Sequence, residues 1–100
     1  MRVIHKFGPY NPCEIINIEG VKKVVHFGQQ GNQLYIWAEV DKENKTNTNL
    51  AFLIVPTGAD YEPEWVHVAS VVDSTQLVWH LLKEPRMGEL LDRVFGGGVF

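Results

Sequence analysis

The alternation of apolar and polar positions is most regular between Gln33 and Asp41, and it predicts a β-strand with one face in a core. Successive side chains of a strand point to opposite faces. One face is therefore wholly apolar, with Leu34, Ile36, Ala38 and Val40. The other combines aromatic and acidic side chains, Tyr35, Trp37, Glu39 and Asp41. One face can pack into a core while the other carries groups that stack and hydrogen-bond. The sequence leaves open which of the two is buried, because a one-residue change of register exchanges the faces.

Six other stretches have the composition of strands, namely residues 2–7, 14–18, 21–27, 50–55, 65–73 and 76–83. Short polar turns follow several of them, so residues 21–41 and 65–83 are each predicted to form a hairpin. The stretch from Leu50 to Val55 is apolar on both faces, which predicts a central strand covered on both sides. In residues 65–73, regular alternation places His67 and Ser70 on opposite faces.

The period of the apolar positions changes near the C-terminus. A helical face is formed by Met87, Leu90, Leu91, Val94 and Phe95. Pro85 suits the first turn of this helix and Gly96 its end. The predicted fold is mainly β (α+β): about seven antiparallel strands in a curled sheet or partly open barrel, with one short C-terminal helix. Residues 1–84 form the predicted β domain, and residues 85–100 an amphipathic helix and Gly-rich tail packed on it or on a neighbouring subunit.

The charge balance of the chain is acidic, because 9 lysines and arginines stand against 12 acidic residues and give a net charge of -3. A protein that binds the backbone of DNA or RNA needs a basic face, so this class of partner is not expected. A small anionic ligand is compatible, since backbone N–H groups and one or two cations can hold it.

Cysteine usage and hydropathy bear on location. The single cysteine, Cys13, excludes an internal disulfide and is typical of a reduced intracellular protein. The first seven residues contain no apolar run typical of a signal peptide, and no segment approaches the roughly 20 apolar residues of a membrane span. The expected location is therefore the cytoplasm, without membrane contact.

No catalytic set and no metal site is predicted. The four histidines lie singly on predicted strands, without a CxxC, HxH or HExxH motif. The two serines, Ser70 and Ser74, lie outside the GxSxG and SxxK motifs of serine enzymes. His67 and His80 lie on adjacent predicted strands, but a two-histidine phosphodiesterase would carry a hydroxyl two residues after each histidine. Those positions hold Ala69 and Leu82. We therefore expect no cofactor and assign no catalytic residue.

Two turns and the aromatic side chains are better candidates for function. The turns at residues 28–32 and 56–58 offer backbone amides and neutral polar side chains that can read a base edge or cradle a phosphate. The candidates for base stacking are Trp37 and Trp65. Those for polar recognition are Gln29, Gln30, Asn32 and Thr57. Those for neutralising phosphate charge are Lys22, Lys23 and Arg86. Together these residue types predict a small nucleotide-like ligand.

Several short motifs resemble a family of small, mostly uncharacterised proteins of bacteriophages and their bacterial hosts. The matching motifs are Ile4-His5-Lys6-Phe7; Gln30-Gly31 with Ile36-Trp37-Ala38-Glu39-Val40-Asp41; Thr57-Gly58; and Leu77-Val78-Trp79-His80. The resemblance covers residues 1–84. In that family the Thr-Gly pair is often followed by histidine, whereas Ala59 follows it here. This departure weakens any role that a histidine would have in that loop.

The resemblance implies a phage origin and an accessory role directed at the host. Small phage proteins of this size include sponges, typically homo-oligomeric, that sequester nucleotide-derived signals of antiviral immunity, such as cyclic oligonucleotides or ADP-ribose derivatives. The leading expectation is a non-enzymatic sponge of this kind.

Two other functions stay open. The first is a protein–protein module whose helix and Val99-Phe100 end bind a host effector or assemble in a particle. The second is hydrolysis of a cyclic nucleotide, which rests on His67 and His80 alone.

Overall fold

The computed structural model describes residues 1–42 and 50–85, and in these two ranges the chain forms seven strands. They are β1 (Arg2–Tyr10), β2 (Ile16–Ile18), β3 (Val21–Gln30), β4 (Gln33–Asp41), β5 (Leu50–Pro56), β6 (Val66–Val72) and β7 (Val78–Lys83). The helix predicted after Pro85, with its candidate residue Arg86, and the glycine-rich tail lie outside the described residues.

The strands form two antiparallel sheets, of three strands in the order β1-β4-β3 and of four in the order β2-β5-β7-β6. The prediction of antiparallel strands in this number is confirmed. The prediction of one curled sheet or partly open barrel is wrong, because β4 is enclosed by β1 and β3 while β5 pairs with β2 and β7. Neighbours in sequence, β4 and β5, therefore belong to different sheets, and the described strands do not close into a barrel.

The apolar faces of the two sheets share one core. From β4 the core takes Leu34, Ile36, Ala38 and Val40, which are at most 6% exposed. The apolar face of this strand is therefore the buried one, a point that the sequence leaves open. From the four-stranded sheet the core takes Ile16, Ile18, Leu50, Phe52, Ile54 and Leu81. We call the face of each sheet that points away from this core its outer face.

Strand β5 is central in its sheet, as its composition predicts. Phe52 and Ile54 are fully buried on the core side. Ala51 and Val55, which alternate with them, are also buried, at 9% and 4% exposure. The outer face of this sheet therefore has an apolar base on which polar groups of the neighbouring strands are placed.

The hairpin of β3 and β4 turns more tightly than the sequence suggests. Gln30 pairs with Gln33, so the predicted connection of residues 28–32 shrinks to Gly31 and Asn32. Gly31 has a φ of 63°, the left-handed conformation that two-residue hairpin turns require and that glycine adopts without a Cβ penalty. The turn fixes the register that places Phe27 opposite Ile36 in the core.

The shared core predicts a contrast between two leucines of the β6–β7 region. Leu81 is 0% exposed and Leu77 is 53% exposed. We expect Leu81→Ala to lower the free energy of unfolding by about 2–5 kcal/mol, because it leaves a cavity between the sheets. Leu77→Ala should change it by about 0.5 kcal/mol or less. Urea unfolding followed by tryptophan fluorescence measures both, and equal losses would contradict the assigned core.

Candidate functional site

An irregularity in β6 determines which of its side chains reach the outer face of the four-stranded sheet. His67 lies opposite Leu82 and Ser70 lies opposite His80, with a register shift between His67 and Ala69. Leu82 and His80 are two positions apart on β7 and so share a face. The extra residue of this β-bulge therefore turns His67 and Ser70 to the same side. The expectation that they lie on opposite faces is wrong for this reason.

The bulge builds a continuous chain of hydrogen bonds from four side chains. Thr57 Oγ1 lies 2.8 Å from His80 Nε2, and Ser70 Oγ lies 2.7 Å from His80 Nδ1. His67 Nε2 lies 2.8 Å from the same Ser70 Oγ. The two imidazole rings are 5.8 Å apart between centroids. The order of the groups is Thr57, His80, Ser70, His67, and we call this set the hydroxyl–histidine chain.

The hydroxyl–histidine chain borders a cavity of about 350 Å³, which we call the hydroxyl cavity. Two apolar side chains, Val55 and Leu82, line it and are only 4% and 1% exposed. The loop after β5 lines it as well, with Thr57, Gly58, Ala59 and Tyr61. An apolar lining with a few convergent polar groups is the usual composition of a small-molecule site.

A second cavity, of about 340 Å³, has a cationic lining, and we call it the lysine cavity. It lies where β3 and β6, the edge strands of the two sheets, come close to each other. Lys22 and Lys23 of β3 and Lys83 of β7 line it, together with apolar side chains of both sheets. His67 lines the lysine cavity and the hydroxyl cavity alike. The two cavities therefore adjoin at this histidine.

A third cavity, of about 280 Å³, lies between the end of β1, the β3–β4 hairpin and the β6–β7 turn, which contributes Asp73 and Trp79. Asp73 Oδ1 accepts hydrogen bonds from the backbone N–H and hydroxyl of Thr75 and from the N–H of Leu77, and its Oδ2 accepts one from Trp79 Nε1. The Thr75 hydroxyl and the Trp79 indole, with the two backbone amides, lower the pKa of Asp73 to about 2. Gln29 and Asn32 line the same cavity.

The candidates named from the sequence do not meet at one site. Gln29 contacts the turn after β6, since its Oε1 accepts from the N–H of Ser74 at 2.9 Å. Trp37 lies on the outer face of the other sheet, with the His26 ring 5.0 Å away. Gln30 accepts there from Lys6 Nζ at 2.9 Å. Trp65 is half-buried just before β6, and its backbone N–H donates to the Glu62 carbonyl oxygen. Of the candidates that lie within the described residues, only Thr57, Lys22 and Lys23 line the two adjoining cavities.

Comparison with known proteins identifies the family of this chain. The chain matches, over residues 1–90, the model of a domain of unknown function, DUF7352. The chain belongs to the DUF7352 family. No curated protein and no solved structure matches it. In this DUF7352 chain, the strand of Trp37 and both adjoining cavities fall within the matched residues.

Sequence reasoning missed four lining residues in this DUF7352 domain: His67, Ser70 and His80 as binding groups, and Tyr61. His67 and Ser70 are three positions apart, and on a regular strand this spacing puts two side chains on opposite faces. The sequence therefore gives no sign that they lie close together. The sequence does contain a signal, since His80 belongs to the Leu77-Val78-Trp79-His80 motif. Tyr61 lies three residues after the Pro56-Thr57-Gly58 turn, in the loop that follows β5.

Two observations bound the chemistry of the described part of this DUF7352 chain. Within residues 1–42 and 50–85, no group of three or more histidine, cysteine or acidic side chains is placed to hold a metal ion. In the same ranges no helix is long and apolar enough to cross a membrane.

The low pKa of Asp73 predicts how acid destabilises this turn. The pKa falls from its usual 3.8 to about 2 in the folded chain. The stabilisation is therefore complete above pH 3.8 and is lost as the pH falls through about 2. We expect Asp73→Asn to be less stable than the wild type at neutral pH, and the difference to shrink across this acid window. Urea unfolding at a series of pH values measures it. Asp60→Asn, at an exposed loop position, is the control and should follow the wild type throughout.

Proposed function

We propose that this protein is a phage-encoded, non-enzymatic binder that sequesters a small nucleotide-derived immune signal, a cyclic oligonucleotide or an ADP-ribose derivative. The observation that carries the proposal is the junction of the lysine cavity and the hydroxyl cavity at His67. Such a ligand joins phosphate groups to sugar hydroxyls and a flat base. The proposed setting is the cytoplasm of the infected cell, where capture of the signal would counteract the host's antiviral defence.

The phosphate groups are assigned to the lysine cavity. Lys22 is half-buried and Lys23 is exposed, and both line it beside apolar side chains. An ammonium group next to apolar surface is only partly screened by water, which strengthens its attraction to an anion. A local cationic site is compatible with the net charge of -3, because that charge disfavours long nucleic acid and not a compact anion.

The sugar and base are assigned to the hydroxyl cavity. Thr57 and Ser70 provide hydroxyl oxygens with hydrogen-bonding capacity beyond their contacts to His80, and Tyr61 provides an aromatic ring. The apolar pair Val55 and Leu82 offers surface for a base or a sugar face. The combined volume of two cavities of about 340 and 350 Å³ suits a molecule of dinucleotide size.

Binding without turnover is supported by the way in which His80 is held. Both of its ring nitrogens lie within hydrogen-bond distance of hydroxyls of the chain itself. A general acid or base needs a nitrogen within reach of the proton that it transfers. His80 would have to release Thr57 or Ser70 before it served a substrate in that role. The arrangement therefore favours a fixed recognition element.

A ligand panel tests the proposal directly. Purified protein is melted with cyclic dinucleotides, cyclic trinucleotides, ADP-ribose isomers and ordinary mononucleotides. A ligand at about 100 times its dissociation constant adds roughly 2.7 kcal/mol, which raises Tm by about 10 °C or more in a domain of this size. The ligand is then recovered from denatured complex and should be chemically unchanged. An altered ligand would show an enzyme. A flat panel would overturn the proposal in favour of the protein-interaction alternative.

Lysine substitutions locate the phosphate site. We expect the double variant Lys22→Ala, Lys23→Ala to weaken binding of the ligand found, or of ADP-ribose, by about tenfold, since two partly exposed charge pairs of up to about 1 kcal/mol each together reach the roughly 1.4 kcal/mol of a tenfold change. The matched control is Lys6→Ala, which removes a lysine from the outer face of the other sheet. Calorimetry measures both. A larger loss in the Lys6 variant would place the phosphate elsewhere.

A further inference from the structure

The donors and acceptors of the hydroxyl–histidine chain depend on one another, and this affects which ligands the chain can bind. Each of its three links needs one hydrogen between two heavy atoms. A hydroxyl has one O–H to donate, and a neutral imidazole has one N–H donor and one nitrogen acceptor. When Ser70 donates in one link it must accept in the other, and His80 has a single N–H for its two links, so a donation by Ser70 to His67 determines every other donor in the chain.

Three arrangements satisfy all three links when both rings are neutral. In the first, Thr57 donates to His80 Nε2, His80 Nδ1–H donates to Ser70, and Ser70 donates to His67 Nε2. In the second, every donor and acceptor is reversed. In the third, Thr57 again donates to His80 Nε2, and His80 Nδ1–H and His67 Nε2–H both donate to Ser70, whose oxygen accepts twice. In the first arrangement the remaining proton of His67 is on Nδ1, and Thr57 Oγ1 has only acceptor capacity left. In the second, the free Nδ1 of His67 is an acceptor and the Thr57 hydroxyl is free to donate.

The position of His67 decides which arrangement an anion favours. His67 lines the lysine cavity, and among the described residues its hydrogen bond to Ser70 uses Nε2 only. An anionic oxygen held by Lys22 and Lys23 accepts hydrogen bonds and cannot donate them. With Nε2 engaged by Ser70, Nδ1 is the ring nitrogen left to meet such an oxygen, and an anion that contacts it favours the tautomer of His67 with the proton on Nδ1. Through Ser70 and His80, this choice leaves Thr57 as an acceptor at the other end of the chain.

We propose that the hydroxyl–histidine chain selects ligands that carry an anionic oxygen at the His67 end and a hydrogen-bond donor at the Thr57 end. This inference rests on the proposed function and narrows its ligand class. A phosphate joined to a sugar hydroxyl or a base amino group meets both requirements. A ligand with anionic oxygens at both ends leaves Thr57 Oγ1 facing another acceptor, and this mismatch is unfavourable.

The first test follows the tautomers of the two rings. Protein labelled with ¹⁵N in histidine is titrated with inorganic pyrophosphate at mildly alkaline pH, which favours neutral imidazole. Long-range proton–nitrogen spectra report which ring nitrogen carries the proton. We expect His67 and His80 both to be in the Nδ1–H form when pyrophosphate is bound. In Ser70→Ala, His67 should still respond and His80 should not. Ser74→Ala, which removes the other serine from the turn beside the third cavity, should behave as the wild type.

The second test measures the requirement at Thr57. ADP-ribose, which extends its diphosphate with sugar hydroxyls, should bind more tightly than pyrophosphate. Thr57→Val should remove about tenfold of that advantage and leave the affinity for pyrophosphate unchanged. An equal loss for both probes would overturn the inference, because it would show a structural role of Thr57. Pyrophosphate binding with His67 and His80 in opposite tautomers would also overturn it, while leaving the proposed function intact. Absence of any binding of either probe would overturn this inference, and the proposed function falls with it only where the cyclic nucleotides of the panel also fail to bind.

Discussion

An extra residue in β6, between His67 and Ala69, sets which side chains of that strand face the core and which face outward. Without it, a strand that presents His67 outward would turn Ser70 inward. A hydroxyl buried without a partner costs roughly 1–3 kcal/mol. With it, Ala69 and Val71 pack against the core and Ser70 joins His67 outside. One insertion thus satisfies the hydrophobic pattern and assembles the polar chain, and the geometry of the whole site depends on it.

The shared core has a consequence for where chemistry can lie. Both sheets direct their apolar faces inward, so their outer faces point to opposite sides of a two-layer domain. Trp37 and Thr57 are each attractive by residue type, yet they stand on different outer faces. The two residues therefore do not belong to one site on either face. Residues of both sheets do come together at the border where β3 approaches β6, and there Lys22, Lys23 and His67 line one cavity.

Local patterns predicted what depends on neighbouring residues in sequence. Alternation identified β4 and the composition of its two faces, the apolar run identified β5 as a central strand, and the polar turns indicated both hairpins. Division into two sheets depends on which non-adjacent strands pair, and alternation contains no information about that. Ser70 was missed for a related reason, because one unpaired residue reverses the faces of all that follow. Thr57, Lys22 and Lys23 were predicted as binding residues from their side-chain chemistry, whereas their positions relative to one another were not predicted.

The free energies of charge pairs and hydrogen bonds explain why the two cavities together would select a ligand better than either cavity alone. An exposed ion pair contributes roughly 0–1 kcal/mol, whereas nanomolar binding needs about 12 kcal/mol. Lysines at a cavity rim therefore attract many anions and distinguish few of them. Neutral hydrogen bonds discriminate better, because a mismatched donor or acceptor loses its water without a replacement. A hydroxyl–histidine chain that starts beside the lysines and ends at Thr57 adds such a requirement to the charge. For the sequestering role that we propose, this second requirement would matter more than the cations, because a cation alone does not distinguish one phosphate compound from another.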